Sequence, residues 1–388
     1  YEDLLRGSRF IDAIGVARES TWREYPASNT WAAYQCYGDP DWVFSAGRAD
    51  VPGAGRRRRD YGRSIASPSG LMLALQTIAV ESEFDRSANG PAQRRETIAR
   101  LEARFGPAWG ARGDVATAFG DAYSRARDAA AAVRWYERAL VALDGSAPLQ
   151  VAERLANLRA RHAYEELTRT LRDPQADVAQ AAARAHEQID RAIELLQRLV
   201  AIDASVERSN LLGAAWKRRV LVAREAGQTD LEARALDQVL EHYRAAEAKA
   251  GAAGSDELFY PGMNRLAAEL VKGFAEAAPR PVPDDEAKRL EAALERRADL
   301  DPSFWPFVQT VELRLYLALA KRALAEVVAG ARTQFEILRE RVITPEEWKT
   351  VRDQASFVLG AYLKTRLAPP EREAAQGLLD LLKGYAGD

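Results

Sequence analysis

The sequence predicts an all-α solenoid, a stack of antiparallel helix pairs running from about residue 69 to the end of the chain. Three observations predict it. From residue 70 onward Ala, Leu, Arg and Glu dominate, and apolar residues recur every three or four positions, the period of a helix with one buried face. Gly, Pro and Asp breaks separate these stripes every few turns, while β-branched alternation is almost absent. Small residues and aromatics also recur at matching offsets from one helix pair to the next.

The elements follow in order. Residues 3–20 carry a helical pattern, and Tyr34 to Phe44 reads as a turn between short extended segments. Residues 48–68 form a linker rich in Gly, Pro and Ser that contains Arg56, Arg57, Arg58 and Arg59, a stretch open to proteolysis. Beyond it, Ile189, Ala192, Ile193, Leu196, Leu199 and Val200 make one stripe, and Ala235, Val239 and Tyr243 continue another from Leu231. Trp348, Val351, Ala355, Val358 and Tyr362 span a whole helix. Thr344-Pro345-Glu346-Glu347 and Thr229 with Glu232 have the pattern of helix N-termini with capping boxes. Breaks near residues 144–146, 203–205, 251–255, 279–283 and 369–370 leave about ten to twelve helices after residue 68.

The repeat is clearest in residues 113–146. Phe119-Gly120, Tyr123, Ala132, Tyr136 and Ala139-Leu140 fall on successive positions of the tetratricopeptide pattern, in which a small residue on the first helix admits an aromatic from the second. Leu212-Gly213 with Trp216 opens a less regular unit whose partner helix runs from Leu231 to Ala250. Residues 149–203 between them make a hairpin of longer helices.

Two stretches resemble known families. Phe10 to Trp42, with Asn29-Thr30-Trp31-Ala32-Ala33-Tyr34-Gln35-Cys36-Tyr37-Gly38-Asp39-Pro40 at its heart, resembles the extreme C-terminal end of a CHAT domain. That family comprises caspase-like cysteine peptidases found with tetratricopeptide repeats in bacteria. The resemblance makes residues 1–47 a short α/β remnant of a caspase-like domain and implies a catalytic His and Cys upstream of the matched segment. It assigns no catalytic residue to this chain. Phe259-Tyr260-Pro261-Gly262-Met263-Asn264 and Asp301-Pro302-Ser303-Phe304-Trp305 are similar to signatures of the tetratricopeptide-like, TRAF-binding region of MAP kinase kinase kinases.

Composition narrows the function further. A formal net charge of −2 gives no general attraction to nucleic acid or an acidic membrane. No apolar run approaches the roughly 20 residues of a membrane helix. One Cys excludes an internal disulfide and fits a cytoplasmic setting. The chain opens on Tyr1, which suggests a start partway into a longer protein. His162, His186 and His242 are isolated in helical patterns, far along the chain from Cys36, so no thiolate–imidazole pair or metal spacing emerges. Gly53-Ala54-Gly55-Arg56 lacks the Lys-Ser/Thr of a phosphate loop. The sequence therefore predicts no catalytic residue, no metal and no cofactor.

What remains is a partner surface. First helices of such pairs line a concave groove, which places Thr117, Asp121, Ser124 and Arg125 there from Gly120, and Asn210, Lys217 and Arg218 there from Gly213. Asn with two cations suits an acidic peptide or a terminal carboxylate. Tyr260 and Asn264 join this set, with Asn264 as an alternative helix cap. The expected partner is a protein or peptide, including the missing peptidase portion itself. Two other readings stay open: a protease substrate cut at Arg56–Arg59 whose repeats then signal, and a stand-alone scaffold.

Overall fold

The computed structural model describes residues 2–5, 8–32, 37–40, 42–43, 65–84, 90–252, 258–277, 281–301, 303–340 and 345–387. Cys36 and Arg56 to Arg59 lie outside the described residues, as do Gly53 to Gly55 and Thr344. The chain forms two compact units, residues 1–63 and 64–388.

The first unit holds helices α1 (Glu2–Leu5) and α2 (Phe10–Glu24) and a 3-10 turn, Asn29–Ala32. The extended segments expected around residues 34–44 reduce, among the described residues, to one antiparallel bridge between Arg9 and Val43. There the Phe10 N–H donates to the Trp42 carbonyl at 2.7 Å, and the Phe10 and Trp42 rings meet edge to face. Ala13 is buried, whereas Ile11, Val16, Trp22, Tyr25 and Tyr37 are exposed, which is expected of a unit too small for its own core.

The second unit is all helix among its described residues: α3 (Pro68–Phe84), α4 (Gly90–Trp109), α5 (Gly113–Arg125), α6 (Ala129–Leu140), α7 (Gln150–Thr170), α8 (Val178–Ile202), α9 (Val206–Glu225), α10 (Thr229–Ala252), α11 (Phe259–Ala275), α12 (Asp284–Leu300), α13 (Phe304–Lys321), α14 (Leu324–Glu340), α15 (Pro345–Leu363) and α16 (Pro369–Ala386). Consecutive helices pack pairwise from α5/α6 to α15/α16, and each pair leans on the next. The stripes read from the sequence face the core: Ile189, Ala192, Ile193, Leu196 and Leu199 are buried, as are Ala235, Val239 and Tyr243.

Glycine sets how closely the pairs approach. A Cβ on Gly120 would stand 2.4 Å from the Tyr136 ring, and one on Gly213 would stand 2.8 Å from the ring of Tyr243. Both distances are impossible for real atoms, so these helices touch only because the side chain is missing. Gly262 repeats the device against Leu290, at 2.6 Å. Phe119 stacks on Trp135 with ring centres 4.4 Å apart and fills the first of these pairs.

Side chains close the helix ends. Asp128, Asp177 and Ser205 each accept a backbone N–H at the start of α6, α8 and α9. For α14 the cap comes from elsewhere: the Glu371 carboxylate on α16 accepts from the Leu324 and Ala325 N–H groups at 3.1 and 2.8 Å. The capping box expected of Thr229 and Glu232 does not form, because the Glu232 carboxylate is engaged by Arg224 at 2.6 Å and Lys364 at 3.3 Å.

Those contacts belong to a larger departure from a simple stack. α15 returns onto the first helices of much earlier pairs, α9 and α11. Arg224 of α9 donates through Nη1 to the Ser356 and Phe357 carbonyls at 3.1 and 2.8 Å, while Lys217 donates to Gln354 Oε1 at 2.6 Å. The inner face of the array is thereby covered along α9 and left open nearer α5 and α7.

Candidate functional site

The open part of the inner face is a cleft of about 660 Å³ between α3, α5 and α7 on one side and α13 and α15 on the other. Of the four residues placed there from Gly120, Asp121, Ser124 and Arg125 line it. Thr117 does not, because it is buried and its hydroxyl donates to the Gly113 carbonyl at 2.7 Å, one turn back in its own helix. Asp121 is fixed from two sides, by the Tyr136 hydroxyl at 2.7 Å and by Arg154 at 2.8 Å. The same Tyr136 that packs on Gly120 therefore orients the carboxylate one residue further on. Burial and the neighbouring Asp121 charge hold the Tyr136 phenol well above its usual range, so it stays a donor.

The cleft is cationic and has an aromatic on its wall. Arg125, Arg127, Arg154 and Arg161 outnumber Asp121 and Glu347, and Trp305 stands on the rim with 36% of its surface exposed. Arg127 adopts a left-handed backbone, φ 61°, where α5 turns into α6. A residue with a Cβ is disfavoured there, and glycine is the usual choice. Neither Arg154 nor Trp305 belongs to the first-helix pattern around Gly120, which is why the sequence did not reveal them. Trp305 reaches the cleft only through the return of the later helices.

The second expected group lies elsewhere. Asn210, Lys217 and Arg218 are not on an open groove: Asn210 and Arg218 are buried, and Lys217 is half-buried against α11 and α15. The physical reason is the returning α15, which occupies the surface an extended peptide would need. Lys217 donates to Asn264 Oδ1 at 3.2 Å, and the Asn264 amide donates to the Tyr260 carbonyl at 3.0 Å. Asn264 therefore bridges the inside of α11 and caps no helix.

Around Lys217 the described residues form a polar seam between α9, α11, α13 and α15. α13 contributes Glu312 and Tyr316, and the Tyr316 hydroxyl accepts from Gln354 at 2.8 Å. Burial drives the Lys217 ammonium down to about 8, helped by the adjoining Arg218, and drives the Glu312 carboxyl up to about 7 against the pull of Lys217. Burial also raises the Tyr260 phenol, although 36% of that residue is exposed.

Elsewhere the charged clusters hold helices together. Arg265 is buried among Glu247, Glu269 and Glu286 and ties α10, α11 and α12. His186 bonds Gln228 at 2.9 Å, and burial lowers its imidazole, as it does that of His242. No group of three or more His, Cys, Asp or Glu among the described residues is placed to hold a metal ion, and no described helix is long and apolar enough to cross a membrane.

Taken together, the paired helices, the glycine–aromatic contacts and the inner cleft define an α-solenoid of tetratricopeptide type, a class that generally binds protein partners. Residues 128–269, from the start of α6 into α11, match the family described as TPR-S, Tetratricopeptide Repeats-Sensor, which fits a role in protein interaction or sensing. No curated protein and no solved structure gives a match.

Proposed function

We propose that the chain is the docking and sensing region of a CHAT-type caspase-like peptidase, recruiting an acidic protein segment into the cleft between α5, α7 and α15. The observation that carries this reading is the cleft itself, cationic, walled by Trp305 and large enough for several side chains. Arginines supply charge-assisted bonds to carboxylates, and Trp and Arg are both enriched among the residues that carry most of the binding energy at protein interfaces. The CHAT context rests on the Trp31 to Pro40 string and on the repeats that accompany such peptidases; bacterial defence or stress signalling is the setting that context suggests. The partner is the peptidase portion or a protein that regulates it.

The test is recovery of partners from native lysate with the full chain, quantified beside a variant carrying Arg125→Glu and Trp305→Ala. We expect a specific partner whose recovery falls at least about tenfold in the variant, the loss typical of a hot-spot residue. Equal recovery by the two chains would remove the cleft from the function. A partner without any caspase-like domain or link to one would remove the peptidase context.

A further inference from the structure

A second open surface lies on the pair formed by α13 and α14, and it shares no lining residue with the cleft. It is a groove of about 570 Å³ with an apolar floor of Val311, Leu315, Ala318, Val327 and Ala331. From Val311 to Lys321 its α13 wall runs about 15 Å, about three turns of a helix. Arg314 and Lys321 stand on that wall about two turns apart, and both are exposed. Neither side chain makes a hydrogen bond or ion pair among the described residues, and nor do those of Glu326 and Gln334 on the α14 wall. Arg265 and Arg297 on the preceding helices, by contrast, are each paired with carboxylates.

Gly330 is an independent observation on the same groove. In the middle of a helix glycine is unfavourable, because it loses more backbone freedom on folding than any other residue. At Gly120, Gly213 and Gly262 a side chain of a neighbouring helix occupies the place of the missing Cβ. A Cβ on Gly330 would meet nothing within 4 Å, so here the same opening stands without its neighbour. Val327, Gly330 and Gln334 recur at helical spacing along the groove, and the exposed Ile337 continues that face beyond it.

We propose that this groove docks a partner helix of about three turns, apolar on one face and acidic along one border. Its apolar face would cover Leu315, Ala318 and Val327, with its backbone close to Gly330. Two carboxylates seven residues apart on the partner would meet Arg314 and Lys321, since the same seven-residue step, about 10 Å, separates those two along α13. An acidic helix rather than a basic one follows from the rim, which carries two cations against the single carboxylate of Glu326. Glu326 lies at the Lys321 end, near the turn from α13 to α14, so a basic residue on the partner's other border sets which way the helix lies.

The experiment is selection of displayed 18-residue peptides on the full chain carrying Arg125→Glu, which reverses a charge in the cleft and leaves the groove intact. Enrichment of peptides with carboxylates seven positions apart beside an apolar helical face is expected. The strongest of them, synthesised and followed by fluorescence anisotropy, should bind the unaltered chain saturably. Arg314→Glu and Lys321→Glu should each weaken that binding by about tenfold or more, the loss of a charge-assisted bond. Gly330→Gln should weaken it as well, while its urea midpoint stays no lower than the parent's. If no such peptides are enriched, or if the three folded variants bind them like the parent, the groove docks no acidic helix. A dimer of the full chain in sedimentation that Arg314→Glu separates would assign the groove to a second copy and overturn the reading of a partner helix.

Discussion

Glu312, whose carboxyl burial pushes up against the pull of Lys217, shows how one residue shapes the response of the chain to pH. Glu312 titrates higher in the folded chain than in the unfolded one, from about 4.5 to about 7, so between those values the folded state holds more protons. Its contribution is therefore full at low pH and is lost as pH rises through that window. Replacing it by Gln should leave stability at about pH 4.5 nearly unchanged and raise it at about pH 7.5, by on the order of 1 kcal/mol. Urea denaturation at the two values checks this, and a Gln variant less stable at the higher pH would show that Glu312 serves Lys217 more than it costs. The sequence marked Lys217 and Arg218 as inner-face cations because their spacing from Gly213 requires it. It did not mark Glu312, which lies about a hundred residues on, in a helix whose partner surface no local pattern reveals.

At the scale of elements, the contacts between paired helices were the most legible part of the fold. Gly120 with Tyr136 and Gly213 with Tyr243 were readable because a small residue and an aromatic at set offsets are a local signal, and the structure shows the rings lying where a Cβ would sit. Adding that atom should cost about 1–3 kcal/mol at Gly213 through overpacking. Comparing urea midpoints of Gly213→Ala and Gly330→Ala tests it, because a Cβ at Gly330 meets nothing within 4 Å. Similar midpoints would contradict the role given to close approach. Gly262 went unread because its neighbour is Leu290 rather than an aromatic. Glu371 was hidden for a different reason: it caps a helix that starts some forty-five residues before it, and it also accepts from the Tyr362 hydroxyl at 2.6 Å. Glu371→Ala should strip α14 of that cap and cost about 1–2 kcal/mol, read from the same denaturation curves.

The whole second unit departs from a one-dimensional stack because α15 meets α9. Helix periodicity specifies which face is buried, not which distant helix buries it, so the sequence supported pairing but not this return. It also explains why one expected groove divided into an open cleft and a covered polar seam. Arg224 is the main clamp, reaching two carbonyls of α15 while held by Glu232. Arg224→Met should release α15 and leave the α9/α10 pair folded. Amide hydrogen exchange reports this directly: faster exchange confined to α15 and α16 is expected, and unchanged protection there would show that apolar packing alone holds the return.

The contact between α9 and α15 also makes the number of repeats a fixed quantity. An ordinary array can gain or lose a hairpin in its middle and simply become longer or shorter, since each unit knows only its neighbours. Here an extra hairpin between α10 and α15 would carry Gln354 past Lys217 and the Ser356 and Phe357 carbonyls past Arg224. This segment therefore behaves like a ring with a set circumference, and lineages or designs that vary its length should tolerate whole-unit insertions before α9 but not within the loop it closes.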